Sequence, residues 1–419
     1  MNQANKDSRL GMLSALRHGN FKAFWIGLVV SVSGMQMFYV IQVWLVYHLT
    51  ESALQLGMLG LARAVPSIIL GLAGGVAADK IDQRKLLMFT SIFIFISYTI
   101  LATLTLTGSV KVWHILITVF VVGGFQAFDQ ASRQAIFPHL IPRSEMLKAV
   151  ALNSTVHPGS RIYAPLIGGF FIDYVGTPII GASIAIYVIA LTYVFFCFQL
   201  SRVRMPAIPR SAEGNGFQEI VNGLKYISFR PIFRLLIATS FINAFFGMSH
   251  LILAPILVGS FFGNASGSAV AMLFSMEGLG GVVGAIVGGN LSASGHFKIH
   301  NIIVLGAAFY GVFLVGIAIS PIYAIVAILE LLSSTSNNLF SVIAQTTLQT
   351  QVTDEFRGRV MGIWSMTYSI MRPFGQLGMG AIGNTLNAPL AIGGGGLVVF
   401  VIALLGCGRS NELRSLKNS

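Results

Sequence analysis

Residues 71–89 read GLAGGVAADKIDQRKLLMF and place five charged residues within seven positions, between two apolar stretches. The charged residues are Asp79, Lys80, Asp82, Arg84 and Lys85. Only 10% of the 419 residues are charged, and 55% are hydrophobic. A soluble domain carries about 25% charged residues. The cluster therefore indicates a polar break between two membrane-embedded segments.

Outward from this cluster, apolar runs of about 20 residues recur along the whole chain, each long enough to cross a hydrocarbon core of about 30 Å as a helix. They do not alternate as the short strands of a membrane β-barrel do. We count twelve runs, at about residues 22–48, 53–78, 86–107, 112–132, 147–173, 177–200, 232–257, 266–290, 301–320, 322–346, 360–384 and 388–408. The sequence predicts an all-α integral membrane protein with twelve transmembrane helices.

The Lys and Arg residues predict the orientation of these helices, because cytoplasmic loops carry an excess of positive charge. With a cytoplasmic N-terminus, all but four of the 26 Lys and Arg residues fall in the tails or cytoplasmic loops. The exceptions are Lys111 in an outer loop and Arg63, Arg161 and Arg372 within apolar runs. We expect a multi-pass protein of the cell (inner) membrane with both termini in the cytoplasm. The net charge of +12 then reflects topology rather than nucleic-acid binding.

The longest polar segment divides the chain into two parts. It begins rich in Pro and Arg and ends with apolar residues at helical spacing, which is typical of a helix on the membrane surface. We predict an N-terminal six-helix half at 1–200, a cytoplasmic central loop with a surface helix at 201–231, and a C-terminal six-helix half at 232–419. Weak internal repetition suggests two pseudo-symmetric halves, as in many secondary transporters.

The charged segment resembles the signature loop of the major facilitator superfamily, a G-x-x-x-D-R-x-G-R-R pattern. Four residues fit it: Gly75, Asp79, Lys80 and Arg84. Asp82 stands where the pattern has its second glycine, and Gln83 replaces an arginine.

Two longer stretches narrow the resemblance. They read FDQASRQAIFPHLIPRSEMLKAVALNS (128–154) and QTTLQTQVTDEFRGRVMGIWSM (345–366), and the second contains Arg357 and Arg359 in loop 10–11. With the twelve helices, they are similar to the secretion-effector group, which includes an enterobactin exporter and multidrug efflux permeases.

The resemblance implies a cytoplasmic gate. In this superfamily the aspartate of the loop faces the start of helix 11, and basic residues link the loop to an acid on helix 4. Asp79 matches that aspartate, and Asp129 is the candidate acid. Lys80 or Arg84 is expected to reach Asp129. The alternative is that these charges only anchor the loop in the cytoplasm.

A second resemblance lies on helix 5. The stretch HPGSRIYAPLIGG (157–169) is similar to the G-P-x-x-G-G element of exporters of the superfamily, with Pro165, Gly168 and Gly169 matching and Ala164 in place of a glycine. Close packing of any two helices would use the same residue types.

Ionisable residues inside apolar runs are costly and commonly mark function. The candidates for proton coupling or cargo binding are Arg63, Asp129, His157, Arg161, His250, Glu277, Glu330 and Arg372. Arg161 and Glu277 lie at similar depth along their helices, at about 1.5 Å per residue, and the resemblance implies that helices 5 and 8 are neighbours across the two halves. We therefore expect contact between these two residues. The alternative for Asp129 is an ion pair with Arg133 one turn on, and for each His an ordinary hydrogen bond.

Together these observations predict a major facilitator transporter that works by alternating access. We expect proton-coupled export of a small amphiphilic or apolar compound, such as a drug or siderophore, by a monomer. The alternatives are proton-coupled nutrient uptake, lysolipid flipping, and a non-transporting membrane receptor or partner protein. No P-loop, HExxH or CxxC pattern occurs, and Cys197 and Cys407 stand alone. We therefore expect neither an enzyme nor a cofactor nor a metal site.

Overall fold

The computed structural model describes residues 11–203, 225–294 and 298–414. The described part of the chain is almost entirely helical and contains no β-strand. Most of the predicted surface helix falls in residues 204–224, outside the described residues, while residues 225–228 are helical. Ile227 is buried in the core that follows.

Twelve long helical elements follow one another in the described residues, which confirms the predicted fold class. They are α1 (Gly19–Thr50), α2 (Ala53–Lys80), α3 (Gln83–Leu106), α4 (Val112–Ile136), α5 (Val156–Tyr174), α6 (Pro178–Arg202), an interrupted α7 that begins with Pro231–Ile242 and ends with Ala254–Phe262, α8 (Gly267–Ser294), α9 (Ile299–Ile319), α10 (Tyr323–Gln351), α11 (Asp354–Thr385) and α12 (Ala388–Ile402). Short helices lie at Gly11–Arg17, Met146–Ser154 and Asn411–Arg414. The fifth apolar run thus divides at Thr155.

Ten of these elements are long and apolar enough to cross a membrane by length and composition, counted over the described residues. The other two are α5 and α11. Both are more polar than their neighbours, since α5 contains His157 and Arg161 and α11 contains Arg372. Charged side chains inside a membrane generally face protein or water rather than lipid.

The chain separates into two compact units. Unit 1 comprises residues 1–45 and 62–212, and unit 2 comprises residues 46–61 and 213–419. The end of α1 and the start of α2 therefore pack with the second unit. A Cβ atom on Gly57 would lie only 2.6 Å from the carbonyl oxygen of Gln376 in α11, so glycine permits this close approach.

Unit 1 has an apolar core with close contacts between helices. Phe21 and Phe24 are fully buried at the start of α1, and Phe196 of α6 packs beside them. The hydroxyl of Ser183 in α6 donates to the carbonyl oxygen of Ala102 in α3 at 2.9 Å. In α4, a Cβ on Gly123 would lie 2.7 Å from a backbone carbonyl oxygen of α2.

Helix α7 of unit 2 changes its winding halfway. After Pro231–Ile242 come a π-helical turn (Asn243–Gly247), a 3₁₀ turn (His250–Leu253) and a final α-helix. Pro255 has no N–H to donate to the carbonyl of Leu251. That carbonyl accepts from Ala254 instead, in the tighter 3₁₀ pattern. Such π-helical turns are frequent at functional sites.

Candidate functional site: charged clusters within the helices

The turn between α2 and α3 contains the opening charged cluster. The carboxylate of Asp82 accepts a hydrogen bond from the backbone N–H of Lys85 at 3.0 Å and so caps the start of α3. This contact explains the departure from the superfamily pattern, because Asp is among the residues preferred at an N-cap. Lys80 is exposed. The side chain of Asp79 lies outside the described residues, so the gate remains a prediction.

Arg84 does not reach Asp129 in this structure. Its Nη2 donates to the carbonyl oxygen of Ser201 at 2.9 Å, at the end of α6. The glycine of this region that contacts another helix is Gly74, where a Cβ would lie 3.0 Å from a carbonyl oxygen of α4. Gly75, which fits the pattern, has open space at that position.

Asp129 and Arg133 form an ion pair within α4, as the alternative interpretation of Asp129 predicted. Both side chains are largely buried. The guanidinium of Arg133 also donates to the hydroxyl of Ser31 in α1 at 3.3 Å and lies 4.3 Å from the ring centroid of Phe196. The second carboxylate oxygen, Oδ1 of Asp129, is buried without a hydrogen-bond partner among the described residues.

Arg63 of α2 lies against α1. Its Nη2 donates to Oε1 of Gln42 at 2.9 Å, and its guanidinium carbon lies 4.1 Å from the ring centroid of Tyr39. Nη1 is buried and has no hydrogen-bond partner among the described residues. The sequence marked Arg63 as costly to bury, but it did not reveal Gln42 or Tyr39 as its neighbours. Their position three residues apart on one face of α1 was the available signal.

The exporter-like element of α5 packs on α1. A Cβ on Gly168 would lie 3.1 Å from the side chain of Met37. Pro165 and Gly169 are buried in the same helix. His157 and Arg161, nearer its start, are exposed. The packing agrees with both the exporter interpretation and the generic one, so it does not choose between them.

Glu277 of α8 pairs with Arg372 of α11. Nη2 of Arg372 lies 3.3 Å from Oε1 of Glu277, and the two side chains are 24% and 17% exposed. The backbones of both residues are also held, because Ser334 donates to the carbonyl of Glu277 at 2.6 Å and Ser249 to that of Arg372 at 2.9 Å. The suggested contact of Glu277 with Arg161 remains a prediction, whereas the Arg372 contact is present within unit 2.

His250 and Glu330 form the most deeply buried ionisable pair of unit 2 among the described residues. Nε2 of His250 lies 2.8 Å from Oε2 of Glu330, and the side chains are 7% and 3% exposed. Nδ1 of His250 lies 2.6 Å from the carbonyl oxygen of Gly247 in the π-helical turn. Tyr310 of α9 packs on Gly247, where a Cβ would lie 2.7 Å from the phenol oxygen. The interruption of α7 thus places His250 beside α10.

Loop 10–11 is organised by local contacts. Nη2 of Arg357 lies 2.6 Å from Oδ1 of Asp354, an exposed pair at the start of α11. The guanidinium of Arg359 lies 5.0 Å from the ring centroid of Phe356. Phe356 in turn stacks on Tyr226, with centroids 4.3 Å apart. These contacts anchor loop 10–11 at the start of α11.

The segment between α4 and α5 is held to the N-terminal 3₁₀ helix through Glu145. Its carboxylate accepts from Nζ of Lys148 and from the hydroxyl of Ser14, both at 3.2 Å. These hydrogen bonds, that of Lys148 first, hold the pKa of Glu145 below its ordinary value. In the described residues no three His, Cys, Asp or Glu side chains lie close enough together to bind a metal ion.

The described residues form twelve long helices with charged pairs inside them, and this is the fold of membrane transporters of known structure. The solved structure of a bacterial homologue of the human lysosomal transporter Spinster, in an inward-facing and unoccupied conformation, matches with a TM-score of 0.72 at 12% identity, over 93% of this chain and 95% of that one. A D-xylose–proton symporter structure matches with a TM-score of 0.67 at 15% identity, over 91% and 97%.

The family model described as transmembrane secretion effector matches residues 10–417, and the chain belongs to that family. Relatives include the staphyloferrin A transporter of Staphylococcus aureus, 27% identical over 80% of this chain and 82% of that protein. The enterobactin exporter EntS of Salmonella choleraesuis is 25% identical over 96% and 95%. Macrolide efflux protein A of Streptococcus pyogenes is 22% identical over 94% and 97%. The predicted resemblance is confirmed, and the protein is a multi-pass membrane transporter.

Proposed function

We propose that this chain exports a small amphiphilic or apolar compound in exchange for protons, by alternating access. Relatives named as an enterobactin exporter and a macrolide efflux protein support the direction. In this proposal the transporter is a monomer of the inner membrane, and both termini lie in the cytoplasm. The proposed coupling of transport to protons rests on the buried contact between His250 and Glu330.

The hydrogen bonds of His250 require a proton in this contact. The carbonyl oxygen of Gly247 can only accept, so Nδ1 of His250 must carry a hydrogen. Nε2 of a neutral ring would then present a lone pair to Oε2 of Glu330. A hydrogen bond of 2.8 Å between these atoms therefore needs one further proton, on either Nε2 or the carboxyl.

Release of that proton weakens the contact, because two lone pairs then face each other. The irregular segment of α7 is thereby freed from α10, which is the conformational step we assign to coupling. The other ionisable groups near the pair are Glu277, which acts on His250, and the Tyr310 phenol, which interacts with Glu330 and is itself acted on by Arg372. Because Arg372 already pairs with Glu277, its charge is largely compensated, and the proton remains with His250 and Glu330.

The test is flux in proteoliposomes that contain a pH-sensitive dye and one of three probes: erythromycin, ethidium or 1-naphthoate. The wild-type protein is expected to move at least one probe against an imposed proton flow and to carry protons the other way. Glu330→Gln and His250→Asn should lose this driven flux at least tenfold, yet retain probe exchange at equal pH on both sides. His300→Asn and Glu51→Gln are the matched controls, since Glu51 is exposed and His300, among the described residues, hydrogen-bonds to Asn301 and to the carbonyl of Cys407.

Each alternative gives its own result. Probe and protons moving in the same direction would indicate uptake. Movement of a labelled lysolipid, and of none of the three probes, would indicate flipping. Absence of any flux alongside specific binding would favour a receptor. Driven flux that is unchanged in Glu330→Gln would refute the assignment of coupling to this pair.

A further inference from the structure

Unit 1 holds more positive than negative charge within its helices. Arg63 lies in the middle part of the described helix α2, whereas Arg133 lies in the last turn of α4 and Arg161 in the second turn of α5, where it is exposed. Asp129 pairs with Arg133. A buried charge without a counter-charge is strongly destabilising. Arg63 is half-buried and its described partners, Gln42 and Tyr39, are neutral, so a bound anion would supply the missing counter-charge.

Arg63 is the arginine best arranged to bind an anion. It lies ten residues, about 15 Å, from the start of α2 at Ala53, which is near the middle of a bilayer core of about 30 Å. One arm of its guanidinium is held by the buried side chain of Gln42, while Nη1 has no acceptor among the described residues. Arginine presents its N–H groups as a planar fork that matches a carboxylate.

The surroundings of Arg63 add an apolar and aromatic surface. Tyr39 lies against the guanidinium face, and both residues are half-buried, so the pair borders accessible surface. The buried phenols of Tyr98 and Tyr193 lie within electrostatic range of Arg63. An oxyanion attached to an aromatic or apolar body would satisfy Nη1 and pack on these rings.

The position of Arg63 is rigidly defined by the backbone. A Cβ on Gly123 of α4 would lie 2.7 Å from the carbonyl oxygen of Arg63 and 3.3 Å from its Cα. The hydroxyl oxygen of Ser67 lies 3.0 Å from the carbonyl oxygen of Arg63 and 2.9 Å from that of Gly123, so its one hydrogen is shared between α2 and α4. Arg63 is thus held by its neighbours before any ligand arrives, which lowers the entropy cost of binding.

We propose that Arg63, with Gln42 and Tyr39, binds the anionic group of the cargo, and that the cargo is therefore an amphiphilic organic acid. This inference rests on the proposed transport function and narrows its substrate class. The same donor could instead hold a small inorganic anion such as chloride, and the experiment must separate the two.

Binding is measured on purified protein in detergent, by the shift in melting temperature and by titration, with 1-naphthoate and its neutral amide 1-naphthamide as probes. We expect 1-naphthoate to stabilise the wild-type protein and 1-naphthamide to have little effect. Arg63→Gln should weaken 1-naphthoate binding at least tenfold, whereas Arg63→Lys should weaken it less, because Lys keeps the charge but loses the fork. Arg143→Gln, an exposed arginine of the same unit, is the control.

Gln42→Glu tests the proposal if Arg63→Gln fails to fold. It places a carboxylate 2.9 Å from Nη2 and pairs Arg63 internally. We expect it to preserve or raise the melting temperature without ligand and to weaken 1-naphthoate binding at least tenfold. Wild-type affinity for 1-naphthoate in Gln42→Glu or in a folded Arg63→Gln would overturn the proposal. Equal stabilisation by 1-naphthamide would also overturn it.

Chloride is the remaining arm of the experiment. Sodium chloride is titrated alone in a buffer whose anion is gluconate, and 1-naphthoate is then added. Stabilisation by chloride alone that depends on Arg63, with no further effect of 1-naphthoate, would assign the site to an inorganic anion and refute the cargo proposal. Absence of 1-naphthoate binding to the wild-type protein, with proton-driven flux of erythromycin or ethidium intact, would refute only this inference. Intact binding without any driven flux would refute only the proposed function.

Discussion

Nε2 of His250 lies 2.8 Å from Oε2 of Glu330, and this contact joins the irregular segment of α7 to α10. The two residues are separated by 80 positions in the sequence. A hydrogen bond that exists only while a proton is present makes the packing of α7 sensitive to pH.

The pH dependence of stability tests this contact directly. Glu330→Gln replaces the carboxylate with an amide that can donate to Nε2 whether or not a proton is available. Between about pH 5 and about pH 8, where an ordinary His changes its charge, the melting temperature of the wild-type protein should fall with rising pH as the contact loses its proton. That of Glu330→Gln should change less. Parallel pH profiles for the two proteins would count against a shared proton. Glu51→Gln serves as the control.

Gly375 of α11 is expected to be sensitive to substitution. A Cβ there would collide with the carbonyl oxygen of Phe245 and the hydroxyl of Ser249, both in or beside the irregular segment of α7. Overpacking of this kind costs about 1–3 kcal/mol. Gly375→Ala should therefore lower the melting temperature measurably. In Gly378→Ala the new methyl meets only the flexible ring of Phe245, at 3.1 Å. An equal fall in melting temperature in the two variants would show that the effect comes from helix propensity and not from this contact.

Gly123 offers a way to move Arg63 without changing its side chain. Gly123→Ala would push on the backbone of α2 at Arg63, whereas Gly124→Ala meets the movable side chain of Leu70 at 3.1 Å. We expect the affinity for 1-naphthoate to fall severalfold in Gly123→Ala and to stay near the wild-type value in Gly124→Ala. The reverse order would contradict the assignment of Arg63 as an anchored anion site.

The pair of Glu277 and Arg372 is suited to a double-mutant cycle. Removing one partner of a fully buried pair costs about 3–5 kcal/mol, and partial exposure reduces that figure here. Glu277→Gln and Arg372→Gln should each lower the melting temperature, and the double variant should lose less than the sum of the two. Strict additivity of the losses would mean that the two side chains do not interact.

Asp82 is expected to matter for stability rather than for transport. Removing an N-cap side chain costs about 1 kcal/mol, within a range of about 0.5–2. Asp82→Ala should lower the free energy of unfolding by this amount, and the melting temperature should fall with it. Asp82→Asn should restore both, since Asn caps equally well. Driven flux by Asp82→Asn should match that of the wild-type protein. Loss of flux in this variant would indicate that the negative charge itself takes part in gating.

The helices were predictable from sequence because hydrocarbon thickness sets the length of every span. The apolar runs at 86–107 and 388–408 correspond to α3 and to α12 with the π-helical turn that follows it. The interruption of α7 was missed, although Pro255 was a visible signal. A hydropathy profile does not detect such an interruption, since a π-helical or 3₁₀ turn can be as apolar as an α-helical one.

The charged residues were predictable as candidates, but their partners were not. Depth, together with the helix neighbours that the resemblance implies, suggested Arg161 for Glu277, while Arg372 lies beside Glu277 in unit 2. Depth along a helix does not specify which face of the helix a residue occupies or which helix faces it. The pairing of Asp129 with Arg133 was predictable because both lie on one helix at a spacing of four.

The polarity of α5 and α11 bears on how the protein is made. An arginine within a span opposes insertion of an isolated helix, by about 2.5–3.5 kcal/mol when it lies at the centre. Arg372 lies near the middle of α11, and Arg161 lies in the second turn of α5. Neither is expected to enter the bilayer alone. Each is the fifth helix of its set of six, so the surfaces it needs are synthesised first. Gly168 packs α5 on α1, and Gly375 packs α11 on α7. The order of helices along the chain therefore also sets the order of membrane insertion. The two most polar spans are synthesised after the helices on which they pack.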